Sequence, residues 1–472
     1  MVGRLVKLPI RSVAAGVVAL AVLGTGTWAL GAWQPFAYDW PDEWDPRVAK
    51  LADYVERHAD FEFEHPVRSR FLPDKEFEKL VTDDEDDLTD EDRDYYEATG
   101  RLLRSLGLAD GDVDLLKDQN TLNASGILAY YSPEDREMVI RTNPDDVVDG
   151  ELSPALRATV VHELVHALQD QRFGLVRMRE RAEDSGHDEA LTALIEGHAM
   201  SIESKYTSDN FSEEEQAQYD EVMEGDDDSA VSEVPEIMSA QQFSPYVFGP
   251  TFVEALERKG DEALIDAFMK KQPKSLEQTI LPSKYFAKDE PEEVDEPKRP
   301  KNSELAVSGQ ISQLDLFFLL ARTWDAPEAL RLSDLWGNGA YAGFDVGDDD
   351  FCAVLNIRGE SVEATEELRE AFTEWAKLPG LRSPKVKGGD EYFSVEACDP
   401  GPKVSIELPT EVDTRQMFWR SGDISYIWRS EPDTDAECVA TGVYTEFTTE
   451  ELQTDERAVA RYNELIANCR RD

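Results

Sequence analysis

The chain has 472 residues, with 100 acidic against 48 basic side chains and a formal net charge of −52. A surplus of negative charge on that scale repels polyanions, which excludes nucleic acid as a partner. An apolar fraction of 41% supplies a globular core, and the length suits two or three domains.

In chain order, Arg4, Lys7 and Arg11 precede an uncharged run from Val13 to Trp33. About 20 apolar residues span a bilayer, and positive charge ahead of them holds the N-terminus in the cytoplasm. A secretory signal peptide has similar flanks, but Leu30-Gly31-Ala32 is a poor small-x-small cleavage site. The expectation is a signal-anchor over 1–33, giving a single-pass membrane protein whose bulk is extracytoplasmic, or a secreted protein if the segment is cleaved. Residues 34–45 read as an aromatic linker, 46–345 as the main domain and 346–472 as a smaller α+β domain.

Val48, Leu51, Ala52 and Val55 mark a first helix, and Phe61 to Leu72 reads as one or two strands. A helix follows over Tyr95 to Leu108. Gly126 to Tyr131 and Met138 to Arg141 form a predicted hairpin, whose edge is suited to an added peptide strand.

Ser153 then reads as an N-cap, Pro154 as a first helical residue and Gly174 as a terminator. Inside that helix stands His162-Glu163-Leu164-Val165-His166. Positions i and i+4 lie one turn apart on one face, so the two imidazoles can grip one ion while Glu163 lies beside it. With 6 histidines in 472 residues, a chance HExxH on a capped helix is improbable. Zinc wants three protein ligands and an open position. A second helix from about Asp188 offers Glu196 and His198, which point about 200° apart, so only one faces the metal. Leu191, Leu194, Ile195 and Ile202 define an apolar face centred on His198, with Glu196 at its flank. Glu196, followed by Gly197 that permits close helix approach, is the preferred ligand. His198 is then a catalytic, transition-state group, a supporting one, or merely a core histidine.

Ser212 to Glu236 reads as an acidic loop and Ala287 to Asn302 as a charged, Pro-rich connector. After Phe351 the predicted pattern is strand, helix, several strands and a last helix. Those strands include Met417–Arg420, Ile424–Trp428 and Val439–Phe447. Cys352, Cys398, Cys438 and Cys469 imply two disulfides and an oxidising compartment, with the pairing open.

Taken together, Tyr131, His162 to Gln171 with Phe173, Ala193 to Ala199, Tyr246 to Phe252, Ser275 to Tyr285 and Trp336 to Gly339 resemble the gluzincin zinc metallopeptidases. More closely, they resemble a family of secreted or membrane-anchored bacterial and archaeal HExxH proteins. The likeness covers Pro46 to Phe344. It implies an α+β fold: a zincin-like catalytic domain, small sheet plus helical bundle, followed by the small C-terminal domain. It further implies Zn²⁺ on His162, His166 and Glu196, Glu163 as catalytic base, and a peptide or protein substrate. Two positions depart from that family: His198 stands at an Asp position, and Leu281 where a His often precedes Pro282.

The chemistry expected is attack by zinc-activated water on a peptide carbonyl, with Glu163 moving the proton. His198, Tyr246, Tyr285 and Tyr131 are candidate oxyanion donors, and Asp170 a candidate support one turn beyond His166. The alternatives are a zincin-fold surface protein that cleaves nothing, and hydrolysis of a non-peptide bond.

Overall fold

The computed structural model of the chain describes residues 40–470, apart from 60, 84–87, 144–145, 149, 225–230, 348–349, 407–412 and 414. It is a mixed α+β protein with small sheets. In the first sheet, β1 (Arg68–Leu72) lies parallel to β3 (Glu137–Arg141), and β2 (Ala129–Ser132) pairs antiparallel on the other side of β3. The expected hairpin is therefore present, and β2 is an edge strand. A minimal second pair joins β4 (Val147–Val148) to β5 (Glu151–Leu152). The third sheet is antiparallel, in the order β6 (Ser303–Gln310), β7 (Trp336–Val346), β8 (Asp350–Gly359), β10 (Phe393–Cys398), β9 (Arg382–Gly388). Residue 345 lies near the end of β7, inside this sheet.

Apolar burial divides into three main clusters. One runs from Ala98 to Cys469 and joins the large sheet to the helices around it. A second packs the first helix (Ala49–His58) and the hairpin onto Val160, Val161, Leu164 and Leu168 of the helix Pro154–Phe173. The third gathers Leu175, Phe252 and Phe268. The helix Asp188–Asn210 contributes to all three, through Ala193, through Ala199, Ile202 and Tyr206, and through Leu191, Leu194 and Ile195. It has no solvent face over its middle turns.

Several expectations are corrected. Met417, Arg420, Ile424 and Trp428 are buried on one face of a helix, Arg415–Ser430, and Ala436–Tyr444 is a second helix. Those short apolar runs read as strands, but their burial recurs at three and four residues, and only tertiary packing exposes that period. Ser212 to Glu236 is not simply a loop. Ser212 and Glu215 form a reciprocal cap, at 2.9 and 3.3 Å, that starts the helix Glu213–Glu224.

The connector around 289–300 has no regular structure, yet it is tied down. Asn338 Nδ2 donates to the Glu292 carbonyl at 2.6 Å, Arg358 to that of Glu293 at 2.9 Å and Asn356 to that of Asp295 at 2.7 Å.

The cysteines pair as Cys352–Cys398 and Cys438–Cys469, which fits an oxidising, extracellular setting. The single-pass membrane placement is corrected. Among the described residues no helix is long and apolar enough to cross a bilayer. The 23-residue helix Asp188–Asn210, for example, carries Asp188, Glu189, Glu196, Glu203, Lys205 and Asp209. The segment 1–33 on which the anchor was read lies outside the described residues.

Candidate metal centre

The helix that carries the motif begins and ends where its caps dictate. Ser153 Oγ accepts from Leu156 N at 3.4 Å, Pro154 opens the helix, and Gly174 at φ 74° closes it after Phe173. From Ala158 to Gln169 every residue is buried, so this is a core helix whose polar groups must find partners internally. His162 and His166 fall one turn apart, with ring centroids 4.7 Å from each other.

Glu196 is brought to them by a helix crossing that leaves no room for side chains. A Cβ added at Gly197 would stand 2.7 Å from Gly249 Cα, and one at Gly249 would stand 2.8 Å from Gly197 Cα. The helix Glu236–Glu257, which contains Pro245 and Pro250, thus lies backbone against backbone on the helix of Glu196 and carries Tyr246 toward the same place. Gly197 does what its position beside Glu196 led us to expect.

Glu196 Oε2 lies 3.1 Å from His162 Nε2 and 3.2 Å from His166 Nε2, and the candidate ligand atoms of the three residues all fall within 4.8 Å of one another. The far side of each ring is also engaged. His162 Nδ1 donates to Glu203 Oε2 at 3.0 Å, and His166 Nδ1 to Gln169 Oε1 at 2.9 Å. Both acceptors hold a ring proton on Nδ1, which turns both Nε2 atoms toward a carboxylate oxygen. That arrangement requires positive charge at its centre, from ring protons or from a metal ion. Glu163 Oε1 and Glu196 Oε1 are buried without a hydrogen-bond partner among the described residues. The donor set, two imidazole nitrogens and a carboxylate, suits zinc. The residues present therefore fit a metal ion.

Glu163 is anchored by its other oxygen, which accepts from the Tyr131 backbone N–H at 2.7 Å. This ties the edge strand β2 to the motif helix. The Tyr131 hydroxyl donates to Asp170 Oδ2 at 3.0 Å, and Asp170 Oδ1 accepts from Leu175 N at 2.9 Å, so Asp170 braces the strand and the next helix. Tyr246 is buried with its ring 6.2 Å from that of His162. The Tyr285 hydroxyl is taken up by the Lys271 carbonyl at 2.7 Å. His198 points away from the ligand group, its Nδ1 3.1 Å from Gln169 Nε2.

Two supports went unread in the sequence. Glu203 is seven residues beyond Glu196 and so on the same helix face, held in turn by the Tyr219 hydroxyl at 2.9 Å. Gln169 is one turn beyond His166. A polar residue recurring at helical spacing from a ligand was the available signal.

The electrostatics follow from burial and proximity. Burial opposes charge on His162, but hydrogen bonds and charges of Glu196 and Glu203 outweigh it and push it up to about 10. Burial also works against the Glu196 carboxylate, yet His166 and His162 hold it well below the usual range. Glu163 rises to about 7 through burial, partly offset by His166 and His162. Burial, with the charge of His166, lowers His198 to about 4 and keeps it neutral. Tyr246 is raised by burial and by Glu196 and Glu163, so its phenol stays protonated.

Exposure is minimal: 0% for His162, 1% for Glu163 and Glu196, 5% for His166. Two grooves of about 650 and 700 Å³ flank the connector and share no lining residue with this group. Comparison of the chain with protein-family models, with curated proteins and with solved structures finds no match.

Proposed function

We propose that the protein is a zinc-dependent peptidase of gluzincin type with a zincin-like catalytic domain, in which His162, His166 and Glu196 hold the ion and Glu163 is the general base. One observation carries this reading: two histidines whose outer nitrogens are committed to acceptors turn their inner nitrogens onto one oxygen of a buried carboxylate. Zinc bound there would supply Lewis acidity, lowering the pKa of a water to about 7 and polarising a carbonyl. Glu163 keeps one oxygen on the Tyr131 N–H and has the other to take a proton and return it to a leaving amine. Tyr246, a protonated phenol beside both carboxylates, is the candidate donor to a developing oxyanion. The test is Glu163→Gln. Zinc content should stay at the wild-type level while cleavage of a peptide mixture falls by about 10²- to 10⁴-fold. A variant that cleaves at the wild-type rate rejects the role of Glu163.

The depth of the group favours a second reading. With His162, Glu163 and Glu196 at 1% exposure or less, a peptide reaches them only after the covering helices move. A zincin-fold protein that holds the ion and cleaves nothing is therefore the alternative. Wild-type protein with one zinc per chain and no hydrolysis across a broad peptide mixture selects it.

A further inference from the structure

We infer that His198 is a positioning residue for the ligand His166, acting through the side-chain amide of Gln169. This rests on the metal-site reading above and gives His198 a place away from the reacting atoms.

One group here has a fixed polarity. The Ile195 carbonyl can only accept, and it lies 3.0 Å from Gln169 Nε2, so that atom is the NH₂ of the amide. Its second proton faces His198 Nδ1 at 3.1 Å, which makes that nitrogen an acceptor and puts the His198 ring proton on Nε2. Gln169 Oε1 is then the acceptor toward His166, at 2.9 Å from its Nδ1. His166 is held with a proton on Nδ1 and its Nε2 toward Glu196. Gln169 is fully buried and His198 is 2% exposed, so water cannot substitute for a missing partner without a cavity opening.

Both ends of the relay sit on the two helices that must stay in register for a metal to bind. Gln169 lies one turn past His166 on the motif helix. His198 lies two residues past Glu196 on the other. Ile195 O and His198 Nδ1 therefore clamp one amide from two adjacent points of the ligand helix. The His166 ring sits at a fixed angle to the carboxylate it faces. His198 is also packed by Phe268, at 5.7 Å between ring centroids, which fixes its own rotamer.

The experiment uses the full chain labelled with ¹⁵N-histidine, in wild type, His198→Phe, His198→Asn and Gln169→Leu. Phe keeps an aromatic ring against Phe268 but offers no acceptor. Asn restores an acceptor oxygen at the same place. Zinc affinity is measured by chelator competition, and the His166 tautomer by ring nitrogen shifts in metal-free protein.

The expected result is an affinity lowered by about 10- to 100-fold in His198→Phe and in Gln169→Leu, the range typical of groups that support a metal ligand. His198→Asn should stay within about 3-fold of wild type, a rescue that mere packing would not give. Metal-free wild type should show His166 with a proton held on Nδ1, and His198→Phe should lose that site preference. Equal affinity and tautomer in wild type and His198→Phe overturn the relay, as does a His198→Asn variant as weak as His198→Phe. If wild type binds no zinc, the metal reading fails by itself, and the tautomer comparison still decides the relay.

Discussion

Buried charge is handled in two different ways in this molecule. In the large core, buried cations meet carboxylates directly: Arg104 with Asp399 at 2.8 Å, which Arg101 also approaches at 3.8 Å, and Arg420, fully buried, with Asp334 at 2.6 Å. Between the motif helix and the ligand helix, by contrast, His162, His166 and Glu196 bring candidate ligand atoms within 4.8 Å of one another, and Glu203 holds the far side of the His162 ring. At the arginines, cation and carboxylate balance each other without a dissolved ion. The converging group is incomplete without a cation, and its stability should depend on what is dissolved around it.

Breaking the Arg420–Asp334 pair should give the largest loss and leave metal binding intact. Asp334→Ala strands the Arg420 guanidinium in the core and should lower the unfolding free energy by about 3–5 kcal/mol in urea denaturation. Its zinc content should equal that of wild type.

Stripping zinc with a chelator addresses the other side of the comparison. With free zinc 1,000-fold above its Kd, removal should lower stability by about 4 kcal/mol, and Glu196→Ala should show no such response. A chelator response that survived in Glu196→Ala would place the stabilising ion somewhere else.

Glu203→Gln should act more weakly, reducing zinc affinity by about 10- to 100-fold through the loosened His162 ring. Little change in the metal-free melting curve is expected.

An effect confined to acidic pH belongs to Asp423, whose carboxyl is pushed up to about 6 by burial against a partly opposing hydrogen bond from Tyr444. A folded pKa above the unfolded 3.8 means the folded state keeps its proton longer, so stability falls as pH rises from about 4 to 6. Asp423→Asn should flatten that part of the stability profile, read by denaturation at several pH values.

What the sequence made legible were features fixed by local chemistry. The caps at Ser153, Pro154 and Gly174 bound the motif helix, and the spacing of His162 and His166 put them on one face. Gly197 beside Glu196 correctly signalled a close crossing. The choice between Glu196 and His198 could not come from hydrophobic phase, because the helix is buried all round over its middle turns, where both residues lie. Glu203, Gln169 and the Tyr131 N–H were invisible for a related reason. Their partners are 41, 3 and 32 residues away, and only the first and last of these depend on how helices and sheet dock. Gln169 was within local reach, but nothing distinguishes a bracing amide from an ordinary one until its second bond, to Ile195, is known. The helices near the C-terminus were misread because their apolar runs are short and their burial is divided among several neighbours.

The crossing of Gly197 over Gly249 also bears on how the sequence can change through descent. Where two helices meet through side chains, a larger residue on one can be answered by a smaller one on the other. Here each side is already glycine, and the atoms a methyl group would meet belong to the opposing backbone. No smaller residue remains to be exchanged, so neither helix can absorb a substitution made on the other. A lineage that has closed these helices to this distance can leave it only by moving a whole helix, and Glu196 would move with it.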